Sequence, residues 1–299
     1  MRIADAHCDT LTAFPADPFN TEKAAWNAAK FFSTGGFLQY MAIYTPPEIT
    51  GDSAFRFAGN NIGNFFRTKP AGINLIKTKT DFDHNKVNIL LSLEGASPII
   101  NDINNLYAFY NLGVRAMGLT WNHRNFVGDG VDENFGLTKF GKEVIIEMEK
   151  LKMLIDVSHL NVAGFNDVAE TITGTFIASH SNSYSVLNHK RNLNDEQIKE
   201  IIARKGFIGL NFYSTFIGAQ GDDIVKSFLK HVEHFLELGA EDVLGFGADF
   251  DGMDLSPFAD VMSYSTILSL FKDTLKLTDE VIEKIFYKNL MDVTLKIIS

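Results

Sequence analysis

The fold of this chain is decided by the stretch IADAHCD at residues 3–9, in which a strand-like run ends in His7 and Asp9. Three later runs have the same form and also end in a possible metal ligand: LLSLEG at residues 90–95, LIDVSH at 154–159 and FIASH at 176–180. Barrels of parallel strands keep their functional side chains at the carboxyl ends of the strands. The recurrence therefore predicts such a barrel, with a cluster of ligands at one end of it.

The whole chain alternates short apolar runs rich in β-formers with longer stretches of helical period, as repeated β-α units do. We place eight strands near residues 2–8, 37–44, 87–93, 114–120, 152–158, 175–180, 206–212 and 243–248. Helices fit between them, for example at residues 194–202 and 222–238, and a last helix is expected at about 278–296. This pattern predicts an α/β fold, a (β/α)8 TIM barrel with its active site at the carboxyl ends of the strands. Because no linker interrupts the pattern, residues 1–299 are expected to form a single domain.

Composition narrows the range of partners and compartments. The chain has 299 residues, 45% of them hydrophobic, and a formal charge of −10 at pH 7. An acidic balance without a lysine and arginine cluster argues against nucleic acid or an anionic membrane as the partner. A single cysteine suits a reducing compartment. The chain also starts without a signal-like segment and contains no run of ~18 apolar residues, so we expect a cytoplasmic protein.

The five candidate ligands favour a metal site. His7 and Asp9 are separated by one residue, so both side chains point to the same side of a strand. Glu94 ends a buried strand, where an unpaired carboxylate is very costly, and its alternative partner is an arginine of the next loop. His159 and His180 end successive strands and are expected to be neighbours, although either alone would more often be a core histidine. Imidazole and carboxylate ligands without thiolate suit zinc, and manganese, iron or cobalt also fit them.

Other polar residues near these strands have plainer interpretations. Cys8 is expected to point away from the ligands and to fill the core. Asp5 and Asp156 are candidates to orient ligand imidazoles, with backbone or solvent hydrogen bonding as the alternative. His231 and His234 share a helix face, and a solvated helix edge is the preferred interpretation for both.

Together these segments resemble the membrane (renal) dipeptidase family of metallopeptidases, a branch of the amidohydrolase-like barrels. The similarity covers nearly the whole chain and keeps the order of the family's segments. They are DAHCDT at residues 5–10, SLEG at 92–95, GVR at 113–115 leading to LT at 119–120, IDVSH at 155–159, SHSNSYSV at 179–186, KRN at 190–192, LNFY at 210–213 and GADFDG at 247–252.

The resemblance implies a binuclear zinc site and the hydrolysis of dipeptides. His7, Asp9 and a bridging Glu94 would hold one zinc ion. The same Glu94, with His159 and His180, would hold the other. A water or hydroxide shared by the two metal ions would then attack the peptide carbonyl, because metal binding makes such a nucleophile available near neutral pH.

The resemblance also implies roles for residues around the metals. Asp249 matches the aspartate that passes a proton to the leaving amine, and Arg191 matches the arginine that binds the terminal carboxylate of the dipeptide. Tyr213 matches another residue of the substrate pocket. At strand four, some family members carry a histidine where this chain reads LTWNH. If the alignment has no gap, Trp121 takes the place of that histidine. If the alignment is locally shifted, His123 reaches in from the loop.

Two other functions use the same residues. One is hydrolysis of another small carboxylate-bearing amide or lactone, since a metal pair does not fix specificity. The other is a metal- or small-molecule-binding barrel without catalysis, which would not need Asp249. The dipeptide is the expected partner, a homodimer would agree with the resemblance, and the membrane anchoring of the animal enzymes is not expected.

Overall fold

A computed structural model describes residues 1–218, 223–253 and 258–298 of the chain. In this part of the chain nine parallel strands form one sheet: β1 Ile3–Cys8, β2 Gly36–Tyr44, β3 Ile73–Leu75, β4 Val87–Glu94, β5 Val114–Gly118, β6 Leu154–Asp156, β7 Ile177–Ala178, β8 Phe207–Leu210 and β9 Leu244–Phe246. The strands follow the order β2-β1-β9-β8-β7-β6-β5-β4-β3, and β2 also pairs with β4. This last pairing closes eight strands into a barrel, so the predicted TIM barrel is confirmed.

The short strand β3 is not among the predicted strands. It pairs with residues 87–89 of β4, whereas β5 pairs with residues 91–93 of the same strand. β3 therefore lengthens the sheet at the amino end of β4 without entering the ring. Three residues are too few to show a clear alternation of side chains, which is why the sequence pattern does not predict this strand.

Helices lie between the strands, as the β-α pattern predicts. The described residues form α-helices at Thr10–Ala13, Ala28–Ser33, Asp52–Thr68, Ile103–Leu112, Lys139–Leu151, Val162–Thr171, Asp195–Ala203, Ser214–Ile217, Asp223–Glu237, Ser263–Asp273, Asp279–Glu283 and Asn289–Ile297. Short 3-10 helices occur at Ser97–Ile99 and Ala240–Asp242, and a π-helical turn at Lys284–Lys288 joins the last two α-helices. Within the described ranges, no helix is long and apolar enough to cross a membrane.

Local capping explains where one predicted helix begins. The side chain of Asn194 accepts a hydrogen bond from the backbone of Gln197, whose own side chain accepts one from the backbone of Asn194. This capping box satisfies two backbone donors at the helix start, and the helix Asp195–Ala203 follows directly. The helix expected at residues 222–238 is found as Asp223–Glu237, and its expected first residue, Asp222, lies outside the described residues.

The last helix covers the amino ends of the barrel strands. Side chains of Asn289–Ile297 share a hydrophobic cluster with Leu38 and Leu90 of the barrel. The hydroxyl of Tyr40 lies 2.6 Å from that of Thr294 in the same helix. This helix therefore occupies the end of the barrel opposite to the candidate ligands, which leaves the carboxyl ends of the strands open.

Asp5 holds the backbone of the site rather than a ligand ring. Its buried carboxylate accepts hydrogen bonds from the backbone of His7 and Ala248, and from the side chains of Gln39 and Tyr264. Burial raises the pKa of Asp5, although these donors oppose the rise. Of the two roles considered for Asp5, the backbone role is the one observed, and it joins β1 to β2 and to the segment after β9.

The expectation that His231 lies at a solvated helix edge is wrong. His231 is fully buried, and its Nδ1 accepts a hydrogen bond of 3.1 Å from the backbone N–H of Ser183. Its Nε2 donates to the carbonyl oxygen of Ile217, also at 3.1 Å. Burial lowers the pKa of His231 to about 4, so the ring is neutral and links the loops after β7 and β8. His234 is partly exposed, and Cys8 is buried as expected.

We expect Gly209→Ala to destabilise the barrel. A methyl group on Gly209 would collide with the carbonyl oxygen of Ser179, and crowding of this kind costs about 1–3 kcal/mol of unfolding free energy. Thermal denaturation followed by circular dichroism measures the change. Gly63→Ala is the matched control, because Gly63 lies in the helix Asp52–Thr68 with open space around it. It is expected to stabilise the protein by about 0.5–1 kcal/mol; equal unfolding temperatures for the two variants would contradict the explanation.

Candidate metal centre

The five candidate ligands meet at the carboxyl end of the barrel. His7 lies in β1, Asp9 directly follows that strand, and Glu94 is the last residue of β4. His159 and His180 lie in the loops that leave β6 and β7. All five residues are buried, with at most 7% of each exposed. The structure thus brings together the side chains that the sequence pattern singles out.

The carboxylate of Glu94 faces two sets of nitrogen atoms. Its Oε2 is 3.4 Å from Nε2 of His7. Its Oε1 is 3.1 Å from Nε2 of His159 and 3.9 Å from Nε2 of His180. Asp9 stands beside His7, with Oδ2 3.3 Å from the same nitrogen. Two ligand atoms that bind one tetrahedral zinc at ~2.1 Å lie about 3.4 Å apart, so these separations suit two neighbouring cation positions that share Glu94.

Some buried polar atoms in the cluster lack partners. Among the described residues, Oδ1 of Asp9 is buried without a hydrogen bond, and Nε2 of His7 has carboxylate oxygens 3.3 and 3.4 Å away but no well-aligned hydrogen bond. The ligand atoms of His7, Glu94 and His180 lie within 4.8 Å of one another, and so do those of His7, Asp9 and Asp249. Buried polar atoms are normally satisfied. A bound cation would therefore supply contacts that the protein itself does not make.

The pKa values of the cluster differ between its two sides. Burial lowers the pKa of His159 and of His180 well below the ordinary value, which leaves both rings in the neutral form that binds metals. Burial, with the nearby charge of Glu94, raises the pKa of Asp9 to about 6. Burial lowers the pKa of His7, but the carboxylates of Glu94 and Asp9 outweigh it and hold that pKa well above the ordinary value. A bound cation would replace the proton that these carboxylates keep on His7.

Two of the imidazoles are oriented through their far nitrogens. Nδ1 of His159 lies 2.8 Å from Oδ1 of Asn122. Nδ1 of His180 lies 2.7 Å from Oγ of Ser179, whose hydroxyl donates to the buried carboxylate of Asp156. Each contact favours the proton on Nδ1, and the two Nε2 atoms lie 2.8 Å apart, so both turn toward the place that a shared metal would take. Asp156, considered from the sequence as an orienting residue, thus reaches His180 through a serine hydroxyl.

Asp249 lies at the same end of the barrel, in the loop after β9. Its Oδ1 is 3.8 Å from Nε2 of His7, and its Oδ2 accepts a hydrogen bond of 3.0 Å from the side chain of Asn211. Its φ of 68° lies in the left-handed region, which aspartate adopts more often than most residues. Burial raises the pKa of Asp249 to about 7, although His7 opposes the rise. A carboxyl group that titrates near neutral pH can both take up and release a proton.

Arg191 is buried next to the cluster. Its Nη2 donates to the carbonyl oxygen of His180 at 3.3 Å, and its Nε has no hydrogen-bond partner among the described residues. The guanidinium carbon lies 5.3 Å from the ring centre of Phe216, a residue that lines the cleft above the cluster. Burial lowers the pKa of Arg191 to about 10, so the group keeps its positive charge at neutral pH.

The other residues considered for substrate binding take different places. Tyr213 packs edge-on against Phe216, with ring centres 4.9 Å apart, and does not itself line the cleft. Trp121 forms part of the cleft wall. His123 lies on the other side of Trp121, with ring centres 5.5 Å apart, and pairs with Asp132 at 3.3 Å. The structure therefore puts Trp121, and not His123, on the wall of the cleft.

The cleft over the cluster has a volume of about 290 Å³. Asp9, Glu94, His159 and Asp249 contribute polar atoms to it. The remaining lining is largely apolar and includes Ala13, Tyr44, Pro46, Phe57, Trp121, Phe216 and Met253. Binding sites for small molecules are typically apolar clefts with a few placed polar groups, so this cleft suits a small ligand whose polar bond lies over the cluster.

Two amides that hold the site were not singled out from the sequence. Asn122 contacts His159, and Asn211 contacts Asp249. Asn211 directly follows β8, and Asn122 lies four residues after β5. Asn122 and Asn211 are polar residues shortly after a strand, like the candidate ligands. The sequence therefore contained a signal that could have identified them.

Comparison with known proteins agrees with this arrangement. The membrane dipeptidase family, peptidase family M19, matches residues 1–298 of the chain. An uncharacterised protein in the pqqA 5′ region of Klebsiella pneumoniae is 36% identical over 175 residues, which are 54% of this chain and 65% of that protein. An uncharacterised dipeptidase of Schizosaccharomyces pombe is 29% identical over 222 residues, 71% of this chain and 53% of that protein. The chain thus spans about half to two thirds of the length of these relatives.

Solved structures share the whole fold. The crystal structure of dipeptidase AC, described as a metallopeptidase of family M19, has a TM-score of 0.92 and 25% identity, and the match covers 99% of this chain and 98% of that chain. A metallopeptidase from Rhodobacter sphaeroides, solved with a phosphinate mimic of the dipeptide L-Ala-D-Ala, has a TM-score of 0.91 and 24% identity over 99% of both chains. The resemblance seen in the sequence segments is therefore confirmed, and the chain belongs to the membrane dipeptidase family, peptidase family M19.

Proposed function

We propose that residues 1–299 form one hydrolase domain, a metallodipeptidase that cleaves dipeptides with the help of two divalent metal ions. The observation that carries this proposal is the placement of Glu94, which turns one oxygen toward His7 and the other toward His159 and His180. A carboxylate between two ligand sets is the arrangement that a bridged metal pair requires. Membership of the membrane dipeptidase family supports the same activity.

His7, Asp9 and Glu94 would hold one metal ion, and Glu94, His159 and His180 the other. Imidazole and carboxylate ligands without thiolate suit zinc, which we take as the native metal. When bound, the two ions would polarise the peptide carbonyl and lower the pKa of a water molecule enough to make it a nucleophile near neutral pH. The carboxylates of the cluster are costly to bury without counter-charge, and this cost favours the binding of divalent cations.

Arg191 would bind the terminal carboxylate of the dipeptide. The guanidinium is buried and charged, it makes one hydrogen bond to the carbonyl oxygen of His180, and its Nε is left without a partner. A buried cation with free donors favours an anionic ligand, and an arginine fork can bind both oxygens of a carboxylate. Tyr213 would contribute by supporting Phe216 beside this subsite. Substrates are therefore expected to be short, because the carboxylate is fixed close to the metals.

Asp249 would carry the proton of the reaction. Its carboxylate is held by Asn211 at the base of the cleft, beside His7, and a carboxyl group there could take a proton from the attacking water and pass it to the leaving nitrogen. His123 is left without a direct role in this proposal, because it lies beyond Trp121.

Location and assembly complete the proposal. The single cysteine, Cys8, is a free and buried thiol, and a protein without disulfides suits the reducing conditions of the cytoplasm. Assembly as a homodimer stays a prediction from the family resemblance.

Glu94→Ala should remove most of the bound metal and nearly all dipeptide hydrolysis, because it deletes the only ligand assigned to both ions. Metal content is measured by mass spectrometry of the purified protein. Unfolding temperature with and without a chelator reports whether metal still stabilises the fold. Glu196→Ala, on an exposed helix surface, is the matched control and should retain metal. Two equivalents of metal in the Glu94→Ala protein would contradict the shared role.

Arg191→Ala should lower kcat/KM for dipeptides by about 10²-fold or more, because truncating one partner of a buried charge pair costs about 2–5 kcal/mol. The wild type should also discriminate against dipeptides whose C-terminus is an amide, and the variant should lose that discrimination. Steady-state rates with both substrate forms measure the effect, with Arg67→Ala on an exposed helix as the control. Equal cleavage of dipeptides and their amides by the wild type would rule the assignment out.

Asp249→Asn tests the proton step, since it is nearly isosteric and leaves the five proposed ligands in place. We expect kcat to fall by about 10²–10⁴-fold, the usual contribution of general acid–base catalysis. Metal content should stay near that of the wild type. Rates at saturating dipeptide and metal analysis of the same sample give both quantities. A kcat within about threefold of the wild type, far less than that range, would remove Asp249 from the mechanism.

A further inference from the structure

A second cleft lies beside the metal cleft and shares one lining residue with it. The second cleft has a volume of about 590 Å³, against about 290 Å³ for the metal cleft. Trp121 lines both. The far side is lined by residues that include Thr45, Pro47, Ser97, His123 and Phe126. The side chain of Trp121 therefore forms a wall between the two clefts.

The backbone of Trp121 is fixed by two close glycine contacts. A Cβ on Gly130 would collide with the carbonyl oxygen of Trp121, and a Cβ on Gly95 would lie 3.3 Å from its backbone nitrogen. Gly95 also has a φ of 82°, a conformation that other residues rarely adopt. The backbone of Trp121 is thus packed from two directions, so it has little room to move.

The indole ring is held between aromatic rings of the two clefts. On the metal side it packs edge-on against Tyr44, with ring centres 5.3 Å apart. On the far side it packs edge-on against His123 at 5.5 Å. His123 is paired with Asp132, which also pairs with Lys190 from the loop after β7. Edge-to-face contacts at these distances are favourable for aromatic rings, and they keep the indole across the opening.

The wall and the proposed carboxylate site belong to different loops at the carboxyl end of the barrel. Tyr44 is the last residue of β2 and Trp121 follows β5, and these strands are the two neighbours of β4 in the ring. Arg191 lies in the loop after β7, three strands from β4, and Phe216 beside it follows β8, so the cleft extends from Phe216 on this side to Trp121. If Arg191 binds the C-terminal carboxylate, as the proposed function holds, the N-terminal residue of the dipeptide extends toward Trp121.

We propose that Trp121 determines specificity for the N-terminal side chain by closing the metal cleft off from the second cleft. A cleft of about 290 Å³ is at the lower end of the ~300–1,000 Å³ common for small-molecule sites. It suits a dipeptide with a small N-terminal side chain. Removal of the indole joins the two spaces, and the lining of the second cleft by Pro47 and Phe126 suits an apolar or aromatic side chain.

The test compares kcat/KM for two dipeptides that differ only at the N-terminal residue, Trp-Ala and Ala-Ala. In Trp121→Ala, the ratio of Trp-Ala to Ala-Ala should rise by about tenfold or more relative to the wild type, since even one methylene in an apolar pocket is worth ~10–200-fold. Metal content, measured on the same samples, should stay unchanged. Trp121→Leu should give a smaller rise in the same direction, and it provides the test if the alanine variant does not fold.

Phe126→Ala is the matched control, because Phe126 lines the second cleft and not the metal cleft. Alone it should leave the ratio unchanged. Combined with Trp121→Ala it should reduce the gain, and this non-additivity is the signature of a shared contact.

A ratio within twofold of the wild type in both Trp121 variants, with Ala-Ala hydrolysis retained, would overturn the inference. An equal effect of Phe126→Ala in both backgrounds would overturn it as well, since the substrate would then already reach the second cleft. Absence of any dipeptide hydrolysis by metal-loaded wild type would instead refute the proposed function on which the inference rests.

Discussion

The carboxylate of Glu94 lies buried between imidazoles, with one oxygen 3.4 Å from His7 and the other 3.1 Å from His159. A buried carboxylate is tolerable only with counter-charge or hydrogen-bond donors around it, and His7 and Arg191 supply such charge within the protein. β4 brings the residue there, and β4 is also the strand whose pairing with β2 closes the barrel. In that pairing Tyr44 stands opposite Glu94. Closure of the barrel and assembly of the site therefore depend on the same register.

Buried hydrogen bonds fix the positions of the site residues at the carboxyl end of the barrel. Asp5 fixes the backbone at His7, and Asp156 fixes His180 through a serine hydroxyl. Asn211 holds the carboxylate of Asp249. Each of these polar groups is satisfied within the protein, and satisfied buried networks specify one arrangement of a site.

The loops decide what reaches the cluster. The strands of such a barrel carry reactive groups, whereas the loops after them form the walls of the cleft. Here the loop after β5 contributes Trp121 to the cleft wall and Asn122 to the orientation of His159. The same loop therefore shapes the cleft, through Trp121, and orients the imidazole of His159, through Asn122. Arg191, in the loop after β7, lies behind Phe216, which forms another part of the cleft wall.

The amino-acid sequence alone was enough to predict the eight barrel strands, and the meeting at one end of His7, Asp9, Glu94, His159 and His180. Both follow from local features, the periodicity of each strand and the polar residue at its end, because parallel strands in a barrel finish at the same edge. Four features are visible only in the folded chain: β3 pairs outside the ring, His231 is buried, Asp5 holds the backbone, and Trp121 rather than His123 lines the cleft over the cluster. These facts depend on contacts between residues distant in sequence, and no local pattern records which neighbours a folded chain will bring together.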